Sequence, residues 1–267
     1  MTPTPPALVL LPLLLAAGGG SGPPAGTSPD PAALLAAAGR VQDRDLDAWR
    51  RFAFRREALR QRLDARGEVT FRQRLEFRVE PAAGGFDERL VAIDGRAPTP
   101  REVAEHRRAE RFSRHHRRAR EGRFGGVVGV GELDFRRLFG ALRPSYRGRA
   151  TVDGVPCHHL AIEALAGDAG ERDRDALAAA TAGELWLAAD GLHLVRARTR
   201  LTRPVTQGLV EIERLELGFE AAPVHGVWLP RRIEVRSSVR GLVRLRAHNI
   251  YRYREFERRI PDPAPAG

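Results

Sequence analysis

The sequence predicts an α+β chain that is mainly antiparallel β, folded as a curved sheet with one oily, concave face. Three observations carry this. From residue 51 onward, runs of alternating apolar and polar residues recur, the pattern of strands with a single buried face. Asp-Gly pairs at Asp94-Gly95, Asp153-Gly154 and Asp190-Gly191 punctuate these runs, where tight hairpins need residues that tolerate the left-handed conformation. Helical sequence is confined to the stretch before residue 51, to an interruption between residues 100 and 142, and to residues 49–63, where a helical stripe of Trp49, Phe52, Arg56, Leu59 and Leu63 competes with the strand alternation begun by Phe52 and Phe54.

Residues 18–30 are rich in Gly, Pro and Ser and read as a linker. Asp30-Pro31 supplies an N-cap followed by proline at the first helical position, and Ala32 to Ala38 continues as helix to Gly39, with a second helical piece from Val41 to Arg50. Between Glu68 and Glu80, Val69, Phe71, Gln73, Leu75, Phe77 and Val79 occupy one face, which makes this the best single strand; Asp64 to Gly67 is its hairpin loop and residues 51–63 its antiparallel partner. Leu90 to Ile93 runs to the first Asp-Gly tip. Thr99-Pro100 then caps a helix over residues 101–123, whose nine arginines and lack of an apolar stripe mark it as exposed. The glycines of 125–131 break it, and 132–142 forms a short second helix. Strands return from Tyr146 to Leu165, residues 166–182 form a loop, and the stretch from Gly183 to Phe256 is a meander including Glu211–Phe219, Gly226–Val235 and Val243–Tyr253. Trp186 and Trp228 fall on the face opposite the main aliphatic row.

At 267 residues the chain can bury a sizeable core, which it must do without disulfides because it has one cysteine, Cys157. The net charge of +11 comes entirely from arginine, there being no lysine. These arginines sit mostly at the polar positions of the alternation, the pattern of a solvated face, not of a polyanion site. Ala7 to Ala17 is an apolar run of signal-peptide length followed by small residues, although no basic residue precedes it. It is short for a membrane span, and no cysteine follows it for acylation. The expectation is an exported, soluble protein of the periplasm, with residues 1–22 a signal peptide, 23–30 a linker, 31–258 one β domain with a helical insertion at 100–142, and 259–267 a disordered tail. An exported chain meets little nucleic acid, so no nucleic-acid partner is expected.

Candidate chemistry is sparse. Using Asp94, Asp153 and Asp190 as a carboxylate set requires three hairpin tips to converge. His158 and His159 point to opposite sides of a strand, His115 and His116 sit among arginines, and no metal-binding spacing occurs. Cys157 reads as a small buried apolar residue. The expectation is therefore no catalytic residue, no metal, no cofactor and no enzyme activity. Arg107, Arg108, Arg111, Arg114, Arg117 and Arg118 form a basic surface suited either to plain solvation or to an anionic membrane surface or acidic partner.

Several segments carry a resemblance: Val152 to Leu160, Gly183 to Leu187 with Asp190-Gly191, His225 to Pro230, and Tyr251 to Phe256. Over about residues 50–256 they make the chain similar to the periplasmic lipoprotein-carrier fold of LolA and LolB, found also in the sigma-factor regulator RseB. The resemblance implies an open, half-closed β-barrel of about 8–11 strands with a few helices as a lid. It implies that the chain binds a lipid, an acyl chain or a lipidated partner on the concave face, near Leu185, Leu187, Val227, Leu229, Ile233, Val235, Val243 and Leu245; a monomer is expected. A plain hydrophobic core would use the same residues. The alternative function on this scaffold is a protein-interaction or sensor module without lipid cargo.

Overall fold

The computed structural model describes residues 29–82, 85–108, 142–163, 176–177, 179–207 and 210–259. Within them, helix α1 (Pro31–Trp49) precedes strands β1 (Phe52–Leu63), β2 (Val69–Ala82) and β3 (Gly85–Ile93). After a helix α2, described over residues 100–108, come β4 (Arg143–Val152), β5 (Val155–Glu163), β6 (Thr181–Ala188), β7 (Leu194–Leu201), β8 (Val205–Gln207), β9 (Val210–Val224), β10 (Val227–Arg240) and β11 (Arg244–Arg258). All pair antiparallel in one 11-stranded sheet of order β3-β2-β1-β11-β10-β9-β7-β6-β5-β4, with β8 on β9. β3 and β4 are the two ends of this path, so the sheet is open. Yet α1 packs on β4 and on β10, and Trp49 at its C-terminal end meets Phe86 of β3 at a tilt, ring centroids 5.3 Å apart. One helix reaching both edges means that the sheet curls around it, as a half-closed barrel does.

α1 is continuous, not two pieces divided at Gly39. Asp30 caps it by accepting from the Ala32 N–H at 3.0 Å, with proline in the first turn. Leu35, Ala38, Gly39, Gln42 and Trp49 are buried, and Leu46 packs against the core. That spacing forms one helical stripe across the glycine. Burying it offsets the cost of about 1 kcal/mol for a mid-helix glycine. Its N-terminal half seals Leu160, Ile162, Leu185, Leu187, Leu194 and Ala197. Its C-terminal half seals an aromatic cluster of Phe54, Phe77, Tyr253 and Phe256, with Trp49 meeting Phe54 at 5.5 Å and Tyr253 edge-on at 5.7 Å.

The β1–β2 hairpin falls where the alternation places it, and the Asp64 carboxylate accepts from the Arg66 and Glu68 N–H groups across its loop. Asp94-Gly95 and Asp153-Gly154 adopt the left-handed pairs of tight turns. Asp190 does not: in the β6–β7 connection Gly191 and Leu192 take the positive φ values. The fourth such pair is His225-Gly226, which joins β9 to β10. Three boundaries also shift: β4 begins at Arg143, not Tyr146, β6 begins at Thr181 inside the expected loop, and β11 begins at Arg244, leaving Val243 in the turn. Thr99 and Glu102 cap α2 reciprocally, the Thr99 N–H donating to Glu102 at 2.8 Å. The expected helix of 132–142, most of the loop at 166–182, the signal-peptide residues and nearly all of the tail lie outside the described residues.

Candidate functional site

Strand register defines two faces, and the one carrying Leu75, Phe77, Tyr253 and Ile233 is the inner face that α1 covers. A bulge between Pro230 and Arg232 decides what β10 contributes to it. Phe219 opposes Ile233 and Leu217 opposes Val235, whereas beyond the bulge Ala221 opposes Pro230 and Pro223 opposes Trp228. One extra residue reverses the parity of β10, so Trp228 lies on the same face as Ile233 and Val235. This corrects the expectation that both tryptophans are on the opposite face. Trp186 is on the outer face, where it stacks flat on His159 at 4.8 Å.

The eight residues expected to line a ligand site separate accordingly. Leu185 and Leu187 are buried beneath the first half of α1. Ile233 is buried and Val235 half-buried on the inner face. Val227 and Leu229 have the other parity, with Leu229 fully buried in the cluster of Phe52 and Phe256. Val243 and Leu245 are exposed, 67% and 57%, at the β10–β11 end of the sheet. Arg107 and Arg108 are exposed at the described end of α2, while Arg111, Arg114, Arg117 and Arg118 lie outside the described residues.

Two adjoining features form the candidate site. The first is a mainly apolar lane on β9 and β10: Leu215, Leu217, Phe219 and Ala221 opposite Ser237, Val235, Ile233 and Pro230, with Val239 beyond Ser237 opposite Ile212. From Leu215 to Ala221 it runs about 20 Å at ~3.3 Å per residue. Under α1, Ile233 and Pro230 are buried and Phe219 and Ala221 half-buried. Beyond α1, Leu215, Leu217, Val235 and Val239 are half-buried, and Phe71, Val69, Val210 and Leu245 are exposed around that end.

The second is a cavity of about 30 Å³ where the lane passes under α1, lined by Gln42, Asp45, Leu46, Trp49, Leu194, Phe219, Ala221, Trp228 and Pro230. Gln42 and Trp49 are 6% and 5% exposed, and neither the Gln42 Nε2 nor the Trp49 Nε1 has an acceptor among the described residues. A buried donor left unsatisfied costs about 1–3 kcal/mol. Asp45 is engaged, its Oδ2 lying 2.6 Å from Nδ1 of His193, whose ring stacks on Trp228 at 5.5 Å. Sequence reasoning missed Gln42, Asp45 and His193. The available signal was two polar residues, at 42 and 45, close to the buried stripe of α1.

Elsewhere the inner face holds Arg56, paired with Glu88 at 2.5 Å and lying over the Phe77 ring at 4.6 Å. Burial raises the Tyr253 phenol well above its ordinary value. His158 is buried, with the Tyr146 hydroxyl 3.3 Å from its Nδ1; burial, with a smaller contribution from Arg149, lowers its pKa. Cys157 is fully buried and its thiol is pushed up by that burial, so it is a poor nucleophile. Among the described residues no three of His, Cys, Asp and Glu gather as a metal site requires, and no described helix is long and apolar enough to cross a membrane.

No family profile and no curated protein matches the sequence. Among solved structures, the chain is similar to a DUF1329 family protein from Desulfovibrio piger at 10% identity and a TM-score of 0.40, covering 88% of this chain and 96% of that one. It is similar to the LolA superfamily protein NE2245 from Nitrosomonas europaea at 12% identity and a TM-score of 0.33, with coverage of 88% and 96%. A putative outer membrane lipoprotein-sorting protein domain from Vibrio parahaemolyticus matches at 8% identity and a TM-score of 0.36, with coverage of 87% and 95%. At these identities and TM-scores the function is read from the chain's own residues.

Proposed function

We propose that this chain is an exported, non-enzymatic envelope protein that binds a hydrophobic chain, such as an acyl chain of a lipid or lipidated partner, on the inner face of its half-barrel. The observation that carries the reading is the β9–β10 lane. A sheet face that served only as core would have its aliphatic row sealed along its length, yet here Leu215, Leu217, Phe219, Val235 and Val239 are only half-buried. Each methylene that a ligand buries there contributes about 0.8 kcal/mol, so a long alkyl chain supplies ample affinity. In this reading residues 1–22 are the export signal and residues 31–258 the binding domain. The test is native mass spectrometry of protein purified from the envelope, together with titration by hexadecane followed through tryptophan fluorescence. Co-purified lipid and saturable hexadecane binding support the reading; the absence of both overturns it.

A further inference from the structure

We infer that the cavity under α1 receives the carbonyl oxygen of a fatty-acyl ester whose alkyl chain lies along the β9–β10 lane, with Gln42 and Trp49 as its two donors. This rests on the hydrophobic-chain reading above and names the polar end of the ligand. The cavity is about 30 Å³, room for one small oxygen-bearing group. Indole N–H is a donor only and the Gln42 amide nitrogen carries two hydrogens, so the unmet chemistry is acceptance. Seven of the nine lining residues, Leu46, Trp49, Leu194, Phe219, Ala221, Trp228 and Pro230, present mainly apolar surface. They suit the carbon atoms that flank a carbonyl. Phe219, Ala221 and Pro230 also belong to the lane, so a chain lying on it reaches the cavity without a break. Asp45 selects against a free fatty acid, because its carboxylate, held by His193, lines the same cavity and repels a second anion. A neutral ester carbonyl meets both demands.

The experiment uses the full chain, methyl palmitate and hexadecane. The protein has three tryptophans, Trp49, Trp186 and Trp228, so its indole ¹⁵N–¹H spectrum is simple, and Trp49→Phe identifies the Trp49 signal while keeping an aromatic ring against Phe54 and Phe86. The expected result is that methyl palmitate moves the Trp49 indole proton downfield and hexadecane does not. Gln42→Leu and Trp49→Phe each weaken methyl palmitate about tenfold relative to hexadecane, the size of one lost hydrogen bond. If methyl palmitate binds as tightly to both variants as to the native chain, or binds without moving the Trp49 signal, the cavity holds a water alone and the inference is overturned while the hydrophobic-chain reading stands. If neither ligand binds the native chain, both fall.

Discussion

Nδ1 of His193 lies 2.6 Å from Oδ2 of Asp45, which ties the β6–β7 connection to the C-terminal half of α1. Both side chains are largely withdrawn from water, 25% and 13% exposed, so the pair is screened little and acts as a clasp between the helix and the sheet. A hydrogen bond of this charge-assisted kind is worth about 1.5–3 kcal/mol. His193→Ala is expected to lower unfolding free energy by that amount in urea titrations, and Asp45→Asn by less. A double-mutant cycle in which the two losses simply add would show that the clasp carries no coupling.

Gly183 and Gly218 make opposite predictions. A Cβ at Gly183 would lie 2.1 Å from the Arg198 carbonyl oxygen and 2.7 Å from the Thr199 Cα, backbone atoms that cannot yield without opening the β6–β7 ladder. At Gly218 the nearest atom, Glu234 Cβ, is 3.6 Å away, an ordinary contact. Gly183→Ala is expected to cost about 3 kcal/mol or more, whereas Gly218→Ala is neutral or stabilising because it removes glycine's entropy cost from a strand. Thermal melts of the two variants check this, and equal melting temperatures would refute it.

His158 gives a pH dependence of definite sign. Burial, aided by Arg149, lowers its pKa in the folded state. The unfolded chain therefore takes up the proton first, and stability falls as pH drops below the unfolded histidine value of about 6.5. The loss stops once the folded-state value has been passed. His158→Phe, which keeps a ring beside Tyr146, is expected to flatten the stability profile below about pH 6.5 relative to the native chain.

The exposed end of the lane separates binding from stability. Leu245 is 57% exposed and on the inner face opposite Val239. Leu245→Ser is expected to change stability by less than about 0.5 kcal/mol. Leu217→Ser, in the middle of the lane, is expected to weaken hexadecane binding at least tenfold. Equal affinity of the Leu217→Ser variant and the native chain, measured by fluorescence titration, would count against the lane as the ligand track.

Much of the fold was legible because a sheet with one buried face writes a period of two into its sequence. Phe71 to Val79 gave β2, and the Asp64 loop gave its pairing with β1. What escaped depends on single-residue events that alternation does not record. The extra residue between Pro230 and Arg232 moves Trp228 to the inner face, and no pattern within β10 announces it. Gly39 looked like a helix end because local propensity favours that, but burial of a stripe running from Leu35 to Trp49 overrides it. Within the candidate site, alternation placed Ile233 and Val235 on one sheet face, but the donors Gln42 and Trp49 are brought to β9 and β10 only by the docking of α1, a long-range contact.

β11 is the last strand among the described residues, yet it sits between β1 and β10. Glu57 of β1 bonds to Arg252 of β11 across 195 residues. Before β11 takes its place, β1 to β3 and β4 to β10 are separate sheets, each with an unpaired edge at the same seam. Contacts this distant in sequence make for slow folding and leave those edges open to wrong partners in the meantime. Assembly of this half-barrel is thus a closing of two leaves by the final strand, and the chain depends longest on whatever shields its edges until that strand arrives.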